Sequence, residues 1–354
     1  PLHANDTAVV MYTSGTTGKP KGVMLTHQNI ASTAAIWSAS MNMAAQDRMF
    51  ICTPLFHCAG LHVFAMPMFY KGGTVIIEES FSPINTLQQL AKTQATIFFG
   101  VPSMYTILLN TPAFKNHSFN DLRLLCYGAA PIPYELVKQV KEALPNVNVQ
   151  NLYGQTENSP AATSLLDADA LTKIGSVGKP LAQTEVRVVD SLGETVPAGE
   201  VGEICVRGPQ VMKGYLRNEE ETARTIRDGW LYSGDLGRFD EEGYLYIVDR
   251  KKDMIIRGGE NIYPIEIEEV LYQLPEILEA AVVGLPHEVY GEVPKAFVVL
   301  KEGKVLEEDT ILAYCQTQLA KYKVPFDIEF LAQLPRNASG KVLKHTLRPK
   351  IATT

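Results

Sequence analysis

The chain has 354 residues, a net charge of −7, 46% hydrophobic and 20% charged residues. That is the composition of an ordinary soluble globular protein of two or three domains. The acidic balance argues against a nucleic-acid binder, whose surface carries a basic surplus. The five cysteines, Cys52, Cys58, Cys126, Cys205 and Cys315, form no CxxC pair. Their spacing therefore supports neither a zinc site nor a disulfide framework, and they read as buried, reduced thiols of a cytoplasmic protein. The most apolar stretch, "CAGLHVFAMPMFY" (58–70), is too short to span a bilayer.

From Val9 to about Gly154 short β-rich runs alternate with helical patterns. "AVVMYT", "TVIIEES", "ATIFFG", "RLLCYG" and "VQNLYG" read as strands. "HQNIASTAAIWSAS", "PINTLQQLAKTQ" and "PYELVKQVKEAL" read as helices, the first with Thr26 as its N-cap. Such alternation predicts a layered α/β fold with buried, mainly parallel strands. From about Gly175, "TEVRVVD", "GEICVRG" and "GRFDEEGYLYIVDR" are short strands with turn signals close together, the last a hairpin about Asp-Glu-Glu-Gly. After Asp249 the pattern is mixed α+β: "MIIRGG" and "KAFVVLKEG" extended, "PIEIEEVLYQL" and "EEDTILAYCQTQLAKY" helical. The expected divisions are residues 1–170 (layered α/β), 171–250 (a small β-rich subdomain) and 251–354 (a small α+β domain).

The stretch "YTSGTTGKPKGV" (12–23) concentrates chemistry. A Walker loop needs G-x-x-x-x-G-K followed by Ser or Thr. Here Gly15 and Gly18 are three apart and Pro20 follows Lys19, so there is neither an amide hydrogen nor a hydroxyl at that position. The residues still suit an anion. Gly15 and Gly18 let the backbone approach it, Thr13, Ser14, Thr16 and Thr17 add neutral donors, and Lys19 and Lys21 add charged ones. A polar surface turn is the plainer alternative.

This stretch resembles the phosphate loop of the adenylate-forming superfamily, which includes acyl-CoA synthetases, peptide-synthetase adenylation domains and luciferase-like enzymes. "YGQTE" (153–157), "WLYSGDLG" (230–237), "VDRKKDMIIRGGENIYPIEIEEVL" (248–271) and "PRNASGKVLKHTLR" (335–348) resemble the family's later motifs in the family's order. The resemblance implies the adenylate-forming fold with a C-terminal domain that rotates between two half-reactions. A carboxylic acid is first activated by ATP to an acyl-adenylate and then passed to coenzyme A.

It also implies roles for residues. Tyr153 and Gly154 would lie beside the adenine, Thr156 would bond phosphate and Glu157 would hold Mg2+, a hard cation that suits a carboxylate. Taken alone, Tyr153 is equally a core residue. Asp235 and Arg250 would reach the ribose, although alone they read as a turn aspartate and a solvated charge. Lys341 would bridge the carboxylate and the α-phosphate. Lys252 would be the hinge, and Gly258 and Gly259 would line the coenzyme A tunnel or simply make a tight turn. His57, in "PLFHCAGL", would gate the acyl pocket and Gly128, Ala129 and Ala130 would form one wall; for His57 a core histidine is the alternative. These stretches show no carboxylate to hold a substrate ammonium, which disfavours an amino acid, and "GGENIYPIEIE" resembles fatty-acyl and general acyl members of the family more than aryl-propenoate ones, which implies a medium- or long-chain fatty acid. A carrier protein as the acceptor, and a non-catalytic nucleotide- or acyl-binding fragment, remain as alternatives. Family members carry a further N-terminal region, so the chain, which begins at Pro1, is expected to be a fragment or processed product.

Overall fold

The computed structural model describes residues 1–14, 20–129, 132–336 and 342–348. The chain divides into two compact units. The first comprises residues 1–233 and 237–247, the second residues 234–236 and 248–354.

In the first unit the strands Thr74–Ile77, Arg48–Ile51, Ile97–Phe99, Leu124–Gly128 and Asn148–Tyr153 lie side by side in that order, all parallel. Alternate residues of each strand point to opposite faces. Phe50, Phe98, Leu125 and Val149 pack on one face beneath the helices Pro83–Lys92, Pro102–Asn110 and Tyr134–Ala143. Met49, Ile51, Ile97, Leu124 and Cys126 pack on the other, against Ile36 and Trp37 of the helix His27–Ser40 and against Phe64 and Met68. Both faces are covered by apolar helices, so the expected layered α/β arrangement is present.

Beyond Tyr153 the sheet continues antiparallel through Thr163–Leu165, Ser176–Pro180 and Leu245–Arg250, then through Trp230–Phe239 to the antiparallel pair Gly202–Arg207 and Glu185–Val189. This is the change of texture read in the sequence after Gly175.

The first strand departs from expectation. Thr7–Ser14 does not enter the parallel sheet but pairs antiparallel with Pro20–Thr26, which also pairs with Gly214–Tyr215. The reason lies in the buried positions. Val23 and Leu25 have their own apolar partners in Met212, Tyr215 and Leu231. The helix that follows starts where the sequence says. Thr26 Oγ1 accepts the Asn29 amide at 3.1 Å and Asn29 Oδ1 accepts the Thr26 amide at 2.9 Å, a reciprocal cap.

The second unit has one antiparallel pair of long strands, Ile277–His287 and Gly291–Leu300, flanked by Asp327–Phe330 and by the short hairpin Ile255–Arg257 and Glu260–Ile262. The helices Pro264–Leu271 and Glu308–Gln318 bury Ile267, Leu271, Ile311 and Cys315 on one face. Leu334, Val342 and Leu347 cover Ala281, Val283, Phe297 and Val299 in a separate cluster. Among the described residues no helix is long and apolar enough to cross a membrane.

Candidate active site

The strands Thr7–Ser14 and Pro20–Thr26 set Thr13 opposite Lys21. Gly15, Thr16, Thr17, Gly18 and Lys19 lie outside the described residues, as does the side chain of Ser14. Lys21 is engaged: its Nζ lies 2.7 Å from Glu221 Oε1 and 4.5 Å from the centre of the Tyr215 ring.

The Asn148–Tyr153 strand ends in a turn that only glycine permits at 154. A Cβ there would meet the carbonyl carbon of Pro160 at 2.5 Å and the Ala161 nitrogen at 2.8 Å. The next residues form the 3-10 turn Thr156–Asn158, fixed by Asn158 Oδ1, which accepts the Gln155 amide at 2.9 Å. The turn offers two polar side chains. Thr156 Oγ1 is 3.2 Å from Cys58 Sγ. Glu157 is buried, and Tyr215 donates its hydroxyl to Glu157 Oε1 at 2.9 Å. Burial and the Glu157 carboxylate push the Tyr215 phenol well above its ordinary range, so it stays a donor. The backbone of Glu157 is held too, its carbonyl accepting the Met212 amide at 2.8 Å. Tyr153 is buried in an apolar cluster with Val177, Ile204 and Leu245.

Glu157 has no salt bridge among the described residues. Its neutral phenol partner leaves the carboxylate charge in place, with oxygen acceptors of the kind magnesium prefers. No group of three or more His, Cys, Asp or Glu that could hold a metal ion is present among the described residues. Magnesium held by one carboxylate, with phosphate and water as its other ligands, fits that arrangement.

His57 is half-buried and its Nδ1 accepts the Ala59 amide at 3.3 Å. The apolar run behind it is a π-helix, Ala59–Ala65, continued as the α-helix Met66–Lys71. His62 in that run is 1% exposed, and neither ring nitrogen has a partner among the described residues. Burial pushes its imidazole down to about 4, so it is neutral at pH 7. At Gly128 a Cβ would lie 2.4 Å from the Leu152 carbonyl oxygen, so the close strand contact demands glycine. Ala129 follows with φ of 65°, a backbone conformation that alanine rarely adopts. Ala130 is outside the described residues.

In the second unit Asp235 is buried and its Oδ1 lies 3.5 Å from Arg250 Nε, so the two candidate ribose residues are neighbours. Lys252 is exposed in the turn that follows Arg250. Gly258 and Gly259, with φ of 61° and 92°, form the tip between Ile255–Arg257 and Glu260–Ile262. Lys341 is outside the described residues, but its flanks are tied together by an antiparallel bridge between Arg336 and Val342. Lys344 pairs with Glu268 at 2.7 Å.

Tyr215, Glu221 and His62 carry no motif that marks them in the sequence, and Cys58, although inside "PLFHCAGL", is given no role there. The only hint is the acidic run Glu219–Glu221 after Asn218, which caps the helix Glu219–Thr225.

Glu157 beside Thr156 in the first unit, and the paired Asp235 and Arg250 in the second, lie in the stretches that resemble the adenylate-forming superfamily. A family model described as "AMP-binding enzyme" matches residues 1–216, and its "C-terminal domain" counterpart matches residues 266–341. A feruloyl-CoA synthase of Amycolatopsis sp is 43% identical over 348 residues, covering 98% of this chain and 70% of that protein. A long-chain-fatty-acid–CoA ligase of Bacillus subtilis is 42% identical, covering 97% of this chain and 61% of that protein. The solved o-succinylbenzoate-CoA synthetase of Bacillus subtilis, in complex with its acyl-adenylate intermediate, superimposes with a TM-score of 0.89 at 38% identity, covering 98% of this chain and 70% of that one.

The chain belongs to the AMP-binding enzyme family. It is an AMP-forming acid–thiol ligase, which works through an acyl-adenylate with ATP, Mg2+ and coenzyme A.

Proposed function

We propose that the acid is apolar, a medium- or long-chain fatty acid, and that the residues above divide the reaction as follows. A carboxylate oxygen attacks the α-phosphorus and pyrophosphate leaves. The coenzyme A sulfur then attacks the acyl carbon, losing its proton, and AMP leaves. Lys21, Thr13 and the hydroxyls and amides of residues 14–18 hold the triphosphate, with Lys19 beside them. Thr156 bonds the phosphate, and Glu157 would hold magnesium, which would supply charge neutralisation to the phosphate oxygens. Tyr153 and Gly154 flank the adenine, and Asp235 with Arg250 engages the ribose. Lys341 brings the two anions together, the charge requirement of the first step. Lys252 is the hinge. Gly258 and Gly259 line the thiol's path. His57 gates an acyl pocket walled by Gly128, Ala129 and Ala130.

The observation that carries this reading is the linkage of Lys21 to Glu157 through Tyr215, which ties the two expected phosphate and metal residues together from remote segments. The apolar character of the acid is supported by the resemblance of "GGENIYPIEIE" to fatty-acyl members of the family and by the 42% identity to a long-chain-fatty-acid–CoA ligase. A reducing, cytoplasmic setting is the reading that the five free, buried cysteines support. An aromatic acid is the second reading, favoured by the 43% identity to a feruloyl-CoA synthase.

The test is acid-dependent exchange of pyrophosphate into ATP over a panel of fatty, aryl-propenoic and aryl-dicarboxylic acids. Exchange with fatty acids and not with the aromatic acids is expected. Exchange confined to the aromatic ones would replace the first reading by the second. Lys341→Ala is expected to abolish exchange and leave ATP binding nearly intact; exchange that survives it would remove that lysine's role.

A further inference from the structure

Two remote segments meet in the first unit on the Tyr215 side chain, and a third joins them through Lys21. Its hydroxyl donates to Glu157 Oε1 at 2.9 Å, its ring carries Lys21 Nζ at 4.5 Å, and Lys21 is paired at 2.7 Å with Glu221. The side chain is well anchored. Tyr215 is 4% exposed, and its amide donates to Thr222 Oγ1 at 2.8 Å, whose own hydroxyl donates to the Asn218 carbonyl at 2.8 Å. The strand Gly214–Tyr215 is thus tied both to Pro20–Thr26 and to the helix Glu219–Thr225.

This arrangement solves a problem of charge. A buried carboxylate that is to hold a cation from solution must not be neutralised by a neighbouring lysine, because an ion pair there competes with the metal. The phenol orients one carboxylate oxygen without cancelling its charge and leaves the other oxygen for a hard cation. The ring offers the ammonium a favourable face, and Glu221 offers it a counter-ion away from Glu157.

We propose that Tyr215 is a positioning residue for metal–nucleotide binding, fixing Glu157 with its hydroxyl and keeping Lys21 off that carboxylate with its ring. The proposal rests on the reading of Glu157 as the magnesium ligand. Glu221 takes part as the counter-ion that holds Lys21 in place.

The test is calorimetric titration of ATP into the full chain at a series of Mg2+ concentrations, which reads metal-dependent binding without turnover. Tyr215→Phe keeps the ring and loses the hydroxyl; it is expected to raise the half-saturating Mg2+ concentration about tenfold, the usual size of effect for a residue that orients a metal ligand. Tyr215→Leu removes the ring as well and is expected to raise it further. Glu221→Gln leaves Tyr215 in place and is expected to raise it about threefold, so it reads the part assigned to Lys21 even where a substitution at 215 lowers the melting temperature. A folded Tyr215→Phe whose Mg2+ dependence matches wild type overturns the proposal, as does an unchanged Glu221→Gln for the part assigned to Lys21. Glu157→Gln separates the two levels. If its Mg2+ dependence is unchanged, the metal assignment itself falls. If that dependence is lost while Tyr215→Phe is unaffected, only the role of Tyr215 falls.

Discussion

Cys58 Sγ and Thr156 Oγ1 lie 3.2 Å apart, joining the segment after His57 to the turn that carries Glu157. The contact couples the expected acyl side of the site to its expected phosphate side. Cys58→Ala removes Thr156's partner and leaves a small void; the rate of pyrophosphate exchange is expected to fall about fivefold, the scale of one neutral hydrogen bond. Cys58→Ser keeps a hydroxyl in reach and is expected to stay within about twofold of wild type. Equal rates for Cys58→Ala and wild type would show the contact to be incidental.

The thiols predict an alkaline limit on stability. Burial pushes Cys52 and Cys205 up to about 12, and Cys58 and Cys315 up to about 11, from 9.0. Cys126, buried in the core, is raised further still. A folded-state value above the unfolded one means that the unfolded chain loses these protons first. The stability they contribute is therefore complete below pH 9 and is lost as pH rises through about 11 to 12. Denaturant midpoints should fall steeply over that window. At about pH 8 a thiol reagent should modify none of the five in the native chain and all five after unfolding.

Asp249 sets an acidic counterpart in the second unit. Burial raises its carboxyl to about 6 from 3.8, against the opposing pull of Lys344 and of the Ile265 and Arg250 amides it accepts. Its folded-state value lies above the unfolded one, so its contribution is complete below pH 3.8 and is lost as pH rises through about 6. Asp249→Asn removes the titration and gives up one of two amide acceptor bonds. Its destabilisation should be about 1–2 kcal/mol larger at pH 5 than at pH 8. Destabilisation equal at the two pH values would contradict the shift.

Two glycines separate packing from conformation. Gly128→Ala drives a Cβ to 2.4 Å from the Leu152 carbonyl oxygen, and about 1–3 kcal/mol of stability should be lost. At Gly259 nothing lies within 4 Å of an added Cβ, but φ is 92°, so Gly259→Ala should cost about 1–2 kcal/mol through backbone strain. A bulky residue at 259 adds a test of the thiol path: thioester formation should fall far more than pyrophosphate exchange. Equal loss of both would count against that path.

Local pattern carried much of the fold. The helix His27–Ser40 begins at its expected cap, and four of the five parallel strands fall on the expected apolar runs, because period and capping are written in neighbouring residues; the strand Arg48–Ile51 was missed. Pairing order was not legible: nothing near Val9 tells that its strand turns back on Pro20–Thr26 instead of entering the parallel sheet. The π-helix at Ala59–Ala65 was equally hidden, since an unbroken apolar run has no period to read. At the site, glycines, hydroxyls and lysines pointed to an anion by their density, though Gly15, Thr16, Thr17, Gly18 and Lys19 lie outside the described residues. Tyr215 and Glu221 could not be found that way. Their contacts to Glu157 and Lys21 span 58 and 200 residues, and an aromatic residue or a helix glutamate alone is commonplace.

The central claim is that this chain joins a carboxylate to AMP before any thiol enters. The most direct measurement is transfer of label from a fatty acid carrying heavy oxygen in its carboxylate, incubated with the chain, ATP, Mg2+ and coenzyme A. Attack of the carboxylate on the α-phosphorus predicts AMP that has gained one heavy oxygen per thioester formed. Thioester accompanied by unlabelled AMP would contradict it.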